Sequence, residues 1–296
     1  MSADQRPVGF IGLGAIGRPI ARHVARRFGA VVWNRSPERA RAFASETGAQ
    51  AAESAADVVA RADVIMTCLP TSREVRVVVE GAGSAWRTGQ LLLDVTSGDP
   101  ATSREIAAWL GRRGASFVDA PVSGGTAGAE AGRLTVMMGG DAGPVSRARA
   151  IAEAFAATIV HVGPVGTGHA VKAINNALLA VGIQAVGEGL AALVKLGVPA
   201  SKALDVINAS SGRSNVTENL VPQRVVTRAW PRTFRLALLD KDVGIALDVL
   251  RQTGVPDDAI GMAKRVFAEG RTELGEEADH VELIKVIERK AGAVIT

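Results

Sequence analysis

One lysine and two asparagines stand close together in Gly166-Thr-Gly-His-Ala-Val-Lys172-Ala-Ile-Asn175-Asn176. Lys172 and Asn176 are four apart, so in a helix they project from one face. An ammonium beside an amide can bind a carbonyl oxygen and protonate it as charge develops there. A second stretch, Asp119-Ala-Pro-Val-Ser123-Gly124-Gly125, sets a hydroxyl beside glycines whose bare backbone N–H groups can grip a carboxylate, although a plain glycine-rich turn would use the same residues. A third, Gly12-Leu13-Gly14-Ala15-Ile16-Gly17, has GxGxxG spacing. Such glycines permit a tight turn, let a pyrophosphate approach the backbone, and allow the next helix to pack with its N-terminus facing the negative charge.

These groups work only if regular elements hold them. Residues 8–12 read as a strand and 15–28 as a helix, which places the glycines in the context a dinucleotide site requires. Further strands are expected at 30–34, 63–69, 90–95 and 115–118, with helical stretches between them. Pro37 suits the first turn of the helix after the second strand, with Ser36 as its cap. Continuous apolar strands alternating with helices argue for a parallel sheet covered on both faces. A strand at 134–138, a helix at 144–155 and a strand at 158–162 complete the series. The spacing then predicts one proline-free helix over 169–196, about 40 Å long. Helices follow at 200–208, 216–228, 236–252, 257–269 and 280–290. The fold class is therefore α/β: an N-terminal doubly wound, mostly parallel Rossmann sheet over 1–164, a long connecting helix, and an all-helical domain over 165–296. A helix so long, with an all-helical region behind it, predicts a surface shared between copies, as in a homodimer or homotetramer.

The end of the second strand selects the cofactor. An acidic residue there would bind the ribose 2′-hydroxyl of NAD, but this chain has Asn34-Arg35-Ser36. A guanidinium and a hydroxyl suit a 2′-phosphate, which predicts NADP(H) in preference to NAD(H); a solvated loop arginine is the other reading. Leu69, Pro70 and Thr96 fall at later strand ends, where they either line the nicotinamide ribose or form ordinary loops.

Composition excludes other chemistries. There is no Tyr, so no tyrosine acts as acid or base. The net charge of +4 is spread without a basic stripe or interleaved aromatics, which argues against nucleic acid. The single cysteine, Cys68, forms no disulfide framework and is expected to pack within a buried strand. The four histidines read as isolated, and no Cys/His spacing suits a metal. The first seven residues lack a signal-peptide core, and no apolar run reaches a membrane span without polar interruption, so a cytoplasmic enzyme is expected.

Four blocks in order, GFIGLGAIG, DAPVSGG with the following GRLTVMMGG, GTGHAVKAINN and FRLALLDKD, carry a resemblance. The chain resembles the β-hydroxyacid dehydrogenase family of the 3-hydroxyisobutyrate dehydrogenase type over nearly its whole length. That resemblance implies a nicotinamide-dependent oxidoreductase interconverting a short 3-hydroxy carboxylic acid and its semialdehyde, with Lys172 as catalytic acid and base; the NADP-type Asn34-Arg35-Ser36 departs from the isobutyrate subgroup. It also implies that Ser123, Gly124 and Gly125 hold the substrate carboxylate, and that Asn176, with Asn175 beside it, fixes the substrate. Lys241, within Asp240-Lys241-Asp242, would reach the cofactor or substrate, and Phe234 would wall the pocket. Two further departures stand out: Arg133 where a small hydroxyl residue is expected, and Ala278-Asp279-His280-Val281-Glu282 near the C-terminus. An imine reductase shares the architecture, but its lysine position usually carries another residue. A 6-phosphogluconate dehydrogenase would carry His where Asn175 stands. A non-catalytic NADP-binding scaffold would have lost the lysine or the carboxylate loop.

Overall fold

The computed structural model describes residues 6–296 and separates the chain into two compact units, one ending at Lys172 and the other spanning Ala173–Thr296. Most of the N-terminal segment read for a leader lies outside the described residues. Among the described residues, nine strands build the first unit: β1 Val8–Ile11, β2 Ala30–Trp33, β3 Gln50–Ala51, β4 Val64–Thr67, β5 Leu91–Asp94, β6 Ser116–Asp119, β7 Val122–Ser123, β8 Leu134–Gly139 and β9 Ala156–Gly163. The order β3-β2-β1-β4-β5-β6 is parallel throughout, so the sheet winds outward in both directions from β1 and β4. Antiparallel pairing joins β8 to β6 and β7, and β9 runs parallel to β8. The pairs Asp119↔Gly139, Val122↔Val136 and Ser123↔Thr135 share one register, so β7 continues the edge that β6 begins.

Apolar residues dominate the central strands β1, β2, β4 and β5 because both faces are covered there. Leu91 and Leu93 pack with Phe10, Val32 and Val118 on one face, and Leu92 with Ile11, Val31, Ile65 and Phe117 on the other. The covering helices are α1 Gly17–Phe28, α2 Pro37–Thr47, α3 Ala55–Arg61, α4 Ser72–Gly81, α5 Pro100–Gly111, α6 Gly125–Glu130 and α7 Ala142–Ala152. Ser54, Thr71 and Asp99 start α3, α4 and α5 by accepting backbone N–H groups of the first turn. Ser36 occupies the corresponding position before α2, but its hydroxyl makes no capping bond, contrary to the sequence reading.

The long helix α8 (Thr167–Lys195) begins in the first unit and supplies the first helix of the second. By length and composition it is apolar enough to cross a membrane, with a stretch of mean hydropathy 1.8; the sequence reading took its polar residues as interruptions. Its Ala177, Ala180, Ile183 and Leu190 belong instead to the core of the second unit, with Val221, Leu239, Val243, Phe267 and Ile284. The remaining helices are α9 Ala200–Asn208, α10 Leu236–Thr253, α11 Asp258–Leu274 and α12 Leu283–Ala291. Two expected α-helices differ. Val216–Val226 is a π-helix with Pro222 inside it; proline lacks the N–H that a tight α-turn needs and crowds the preceding turn. The stretch expected at 280–290 divides into a 3₁₀ turn, His280–Glu282, and α12.

Asp279 organises that division. Its buried carboxylate accepts from Thr233 N–H (2.7 Å), Phe234 N–H (2.9 Å), the Thr233 hydroxyl (3.0 Å) and Val281 N–H (3.1 Å). Burial works against its charge, but the His280 ring and these amides outweigh burial and hold its pKa below the usual carboxylate range. A carboxyl depressed on folding stabilises the fold above its unfolded pKa of about 4, and that contribution fades as pH falls further. Asp279→Ala is expected to cost about 2–3 kcal/mol at neutral pH, the scale for losing hydrogen bonds to a charged group. The gap to wild type in urea unfolding should narrow below about pH 4. A gap that stays constant on acidification would contradict this account.

Candidate active site

The turn after β1 separates two kinds of glycine. Gly12 has φ +104°, and a Cβ there would overlap the Cys68 carbonyl oxygen; a Cβ on Gly17 would overlap the Gly12 carbonyl oxygen. Those two glycines are demanded by the protein's own packing. A Cβ on Gly14 would meet nothing within 4 Å, so the protein itself does not demand its bareness. Helix α1 starts without a side-chain cap and without an acidic residue in its first turn. Its free N–H groups and positive dipole end therefore suit an anion beside Gly14, as the pyrophosphate of a dinucleotide requires.

Asn34 braces this turn. Its Oδ1 accepts from Leu13 N–H (3.0 Å), and its Nδ2 donates to the Ser36 carbonyl (3.2 Å). The side chain thus joins the loops after β1 and β2, leaving the exposed Arg35 and the uncommitted Ser36 hydroxyl as the groups able to meet a ligand. The next two loops are tied as well. The Thr67 hydroxyl donates to Asp94 Oδ1 (2.8 Å), Thr96 N–H donates to the same oxygen (3.1 Å), and the Thr96 hydroxyl accepts from Leu69 N–H (3.1 Å). Thr96 is buried, whereas Pro70 is exposed. Cys68 lies one residue past β4 and is half-buried rather than enclosed in the strand. Burial and the neighbouring Asp94 push its thiol up to about 12, so it stays protonated and unreactive.

The start of α8 is held by residues that local sequence does not connect. Asp119, at the end of β6, accepts from Gly166 N–H through Oδ1 (2.7 Å) and from His169 N–H through Oδ2 (2.9 Å). Its pKa is raised because burial outweighs those two bonds and the charge of His169. His169, fully buried, reaches the Thr96 carbonyl through Nε2 (2.9 Å) and Ser103 Oγ through Nδ1 (2.7 Å). The sequence reading passed over Asp94 and Asp119 as site residues and took His169 as isolated. The only sequence signal was position: Asp119 opens the glycine-rich loop, and His169 precedes Lys172 by three. Lys172 itself is half-buried. Ser123 ends β7, and Gly124 (φ +128°) and Gly125 (φ +61°) follow on exposed backbone that ordinary side chains disfavour. Gly12, Leu69, Thr96 and Asp119 thus mark the carboxyl ends of adjacent parallel strands, where ligands bind in such sheets.

In the second unit, Asn176 and Lys241 meet on one carboxylate. Asn176 Nδ2 donates to Asp242 Oδ2 (2.6 Å), and Lys241 Nζ pairs with Asp242 Oδ1 (2.9 Å). The exposed Asn175 donates to Asn176 Oδ1 (3.2 Å). Asp242 is the residue that sequence reasoning missed here. Asp240 is held separately, by Lys264 (2.5 Å) and Arg271 (3.4 Å). Phe234 is half-buried, edge-on to the His280 ring at 5.5 Å.

The two kinds of glycine separate binding from folding. Gly14→Ala should leave the melting temperature unchanged while weakening NADPH binding by on the order of tenfold, about 1.4 kcal/mol. Gly12→Ala should lower the melting temperature. Fluorescence titration of NADPH beside thermal melts reads both, and unaltered NADPH affinity in Gly14→Ala would remove the pyrophosphate from this turn.

Both units of the chain are similar to known proteins. Residues 7–163 match the family described as the NAD binding domain of 6-phosphogluconate dehydrogenase, and residues 166–287 the one described as NAD-binding of NADP-dependent 3-hydroxyisobutyrate dehydrogenase. The 2-(hydroxymethyl)glutarate dehydrogenase of Eubacterium barkeri is 35% identical over 98% of this chain and 97% of its own length. A structure of Mycobacterium tuberculosis 3-hydroxyisobutyrate dehydrogenase with L-serine superposes with TM-score 0.89 at 31% identity, covering 96% of this chain and 99% of the other. Psf3 in complex with NADP+ and 2-OPP gives TM-score 0.80 at 26% identity, covering 95% and 99%.

Proposed function

The chain belongs to the β-hydroxyacid dehydrogenase family and is an NAD(P)-binding oxidoreductase acting on the hydroxyl group of 3-hydroxyacids, and from this premise we propose that it prefers NADP(H), interconverts a short 3-hydroxy carboxylic acid and its semialdehyde, and moves the proton with Lys172. One observation carries the reading: Lys172 sits in the second turn of a helix whose first turn is fixed to the strand ends beside the dinucleotide turn.

When bound, the dinucleotide supplies or accepts the hydride. Ser123 and the bare amides of Gly124 and Gly125 hold the substrate carboxylate. The Lys172 ammonium donates its proton to the oxygen as alkoxide charge develops, and in the reverse direction the neutral amine takes the alcohol proton. Asn176, one turn further along the helix, keeps a second amide proton for the substrate, because Asp242 takes the first. Lys241 and Phe234 complete the assignment from the second unit, Lys241 toward cofactor or substrate and Phe234 as pocket wall. Arg35 and Ser36 meet the 2′-phosphate. The NADP-dependent family description over residues 166–287 and the NADP+ complex of a 26%-identical neighbour support that preference.

The deciding assay follows NADPH and NADH oxidation with glyoxylate, succinic, tartronate and methylmalonate semialdehydes. Lys172→Ala is expected to lower kcat by about a hundredfold or more, the scale of general acid catalysis, and Arg35→Asp to abolish the preference for NADPH. Activity within a few-fold of wild type in Lys172→Ala would remove the lysine from the mechanism. An unchanged NADPH/NADH ratio in Arg35→Asp would remove the arginine from cofactor choice. We further propose that the protein is a homodimer or homotetramer, supported by the apolar side chains of Val171 and Leu178 on α8, which are 42% and 64% exposed. Light scattering should return a multiple of the chain mass; a monomer would reject the assembly.

A further inference from the structure

His169 is a buried side chain to which the proposed mechanism gives no part, and it is fixed from three directions. Its Nε2 faces the Thr96 carbonyl at 2.9 Å. A carbonyl only accepts, so Nε2 carries the hydrogen. Its Nδ1 lies 2.7 Å from Ser103 Oγ on α5, and its backbone N–H donates to Asp119 at the end of β6. The ring also rests on Gly98, where a Cβ would come within 2.6 Å of Cε1. Leaving this seat would cost the imidazole both of its ring hydrogen bonds.

We propose that His169 is a positioning residue: a strut between the loop after β5 and the first turn of α8 that sets where Lys172 stands relative to the cofactor-side loops. This rests on the reading of Lys172 as proton donor. Lys172 is three residues along the same helix, a rise of about 4.5 Å, so it cannot shift without either unwinding that turn or moving the imidazole. The far end of the strut is anchored too, because the Thr96 hydroxyl takes Leu69 N–H and the Thr96 amide donates to Asp94. One imidazole thus ties the loops after β4 and β5 to the helix that carries the acid. A displacement of about 1 Å of a catalytic group can lower a rate by about a hundredfold, so such a strut has large kinetic leverage. Charged groups face the ring from every side: Asp94 Oδ2 at 3.9 Å from Nε2, Asp99 at the cap of α5, and Asp119 beneath its main chain.

The test separates position from folding. His169→Leu removes both ring bonds at similar volume; His169→Gln keeps an N–H able to reach the Thr96 carbonyl. Each is assayed in single turnover with enzyme in excess, where the rate constant reads the chemical step and the amplitude reads the fraction of competent protein. His169→Leu should slow the rate constant by about tenfold to a hundredfold, with steady-state KM within a few-fold of wild type, and His169→Gln should restore it to within a few-fold. A lower amplitude with an unchanged rate constant would show a purely structural role and overturn the proposal. If His169→Leu fails to fold, Ser103→Ala, which removes the Nδ1 partner together with the serine's own bond to the Asp99 carbonyl, should still slow the rate constant several-fold; an unchanged rate constant there also overturns it. Lys172→Ala run in parallel keeps the two readings apart. A fully active Lys172→Ala sinks the donor assignment, and with it the strut. An inactive Lys172→Ala beside an unimpaired His169→Leu sinks the strut alone.

Discussion

The carboxylate of Asp119 against the first turn of α8 is the interaction on which the candidate site depends. It lies buried at the end of β6 and spends one oxygen on Gly166 N–H and the other on His169 N–H. Helix N-termini leave such donors without partners, and a negative charge there also meets the positive end of the helix dipole. Burial works against the charge and raises the pKa, so the group is costly to keep ionised and tolerates little misplacement. The surrounding glycines follow from it. A Cβ on Gly139 would stand 2.6 Å from Asp119 Oδ1, and one on Gly168 would stand 2.8 Å from Oδ2. The aspartate and these glycines, 20 or more residues apart in sequence, are one packing solution, and Lys172 inherits its place from it.

What was legible in the sequence was whatever is decided locally. Gly12 and Gly17 announce themselves because the turn they make is forbidden to other residues, and the central strands because burial on both faces keeps them mostly apolar. The place of Arg35 just past the second strand is legible too, while its part in cofactor choice belongs to the proposed function. The buried network was not, because Asp94, Asp119 and His169 come from three separate segments and only the sheet order makes them neighbours. Each had a bland local reading as a strand end or a solitary histidine. Asn34 and Ser36 show that residue type alone underdetermines local bonding: the Asn34 amide braces two loops, and the Ser36 hydroxyl, expected to cap α2, makes no capping bond. The π-helix at Val216–Val226 departs from an apolar pattern that is helical in either form; Pro222 decides which form, and periodicity carries no record of it.

In the second unit, two aspartates two residues apart take different partners. Asp240 meets Lys264 and Arg271, while Asp242 meets Asn176 and Lys241. Positions two apart on a helix do not share a face, so DKD presents its two acids in different directions. The consequence falls on Asn176. An amide can flip its oxygen and nitrogen at little steric cost, but here Oδ1 accepts from Asn175 and Nδ2 donates to Asp242. The flip would set oxygen against carboxylate, so the protein itself fixes the orientation of the Asn176 amide.

This pattern, polar groups buried to orient other polar groups, explains why so many hydrogen bonds gather at the strand ends. Thr67, Asp94, Thr96 and Ser103 contribute no reactive atom to the proposed chemistry; their bonding capacity goes to Leu69, the Asp99 carbonyl and His169. An apolar packing of the same volume would be no less stable, because buried polar groups bring little net stability even when fully paired. It would, however, be softer in direction, since dispersion contacts constrain distance weakly and angle hardly at all, whereas a hydrogen bond weakens steeply once bent. A general acid gains its rate advantage from being placed where the alkoxide forms before the charge appears. On the proposed reading of Lys172 as the acid, directional bonds in the layer beneath it would supply that placement in advance.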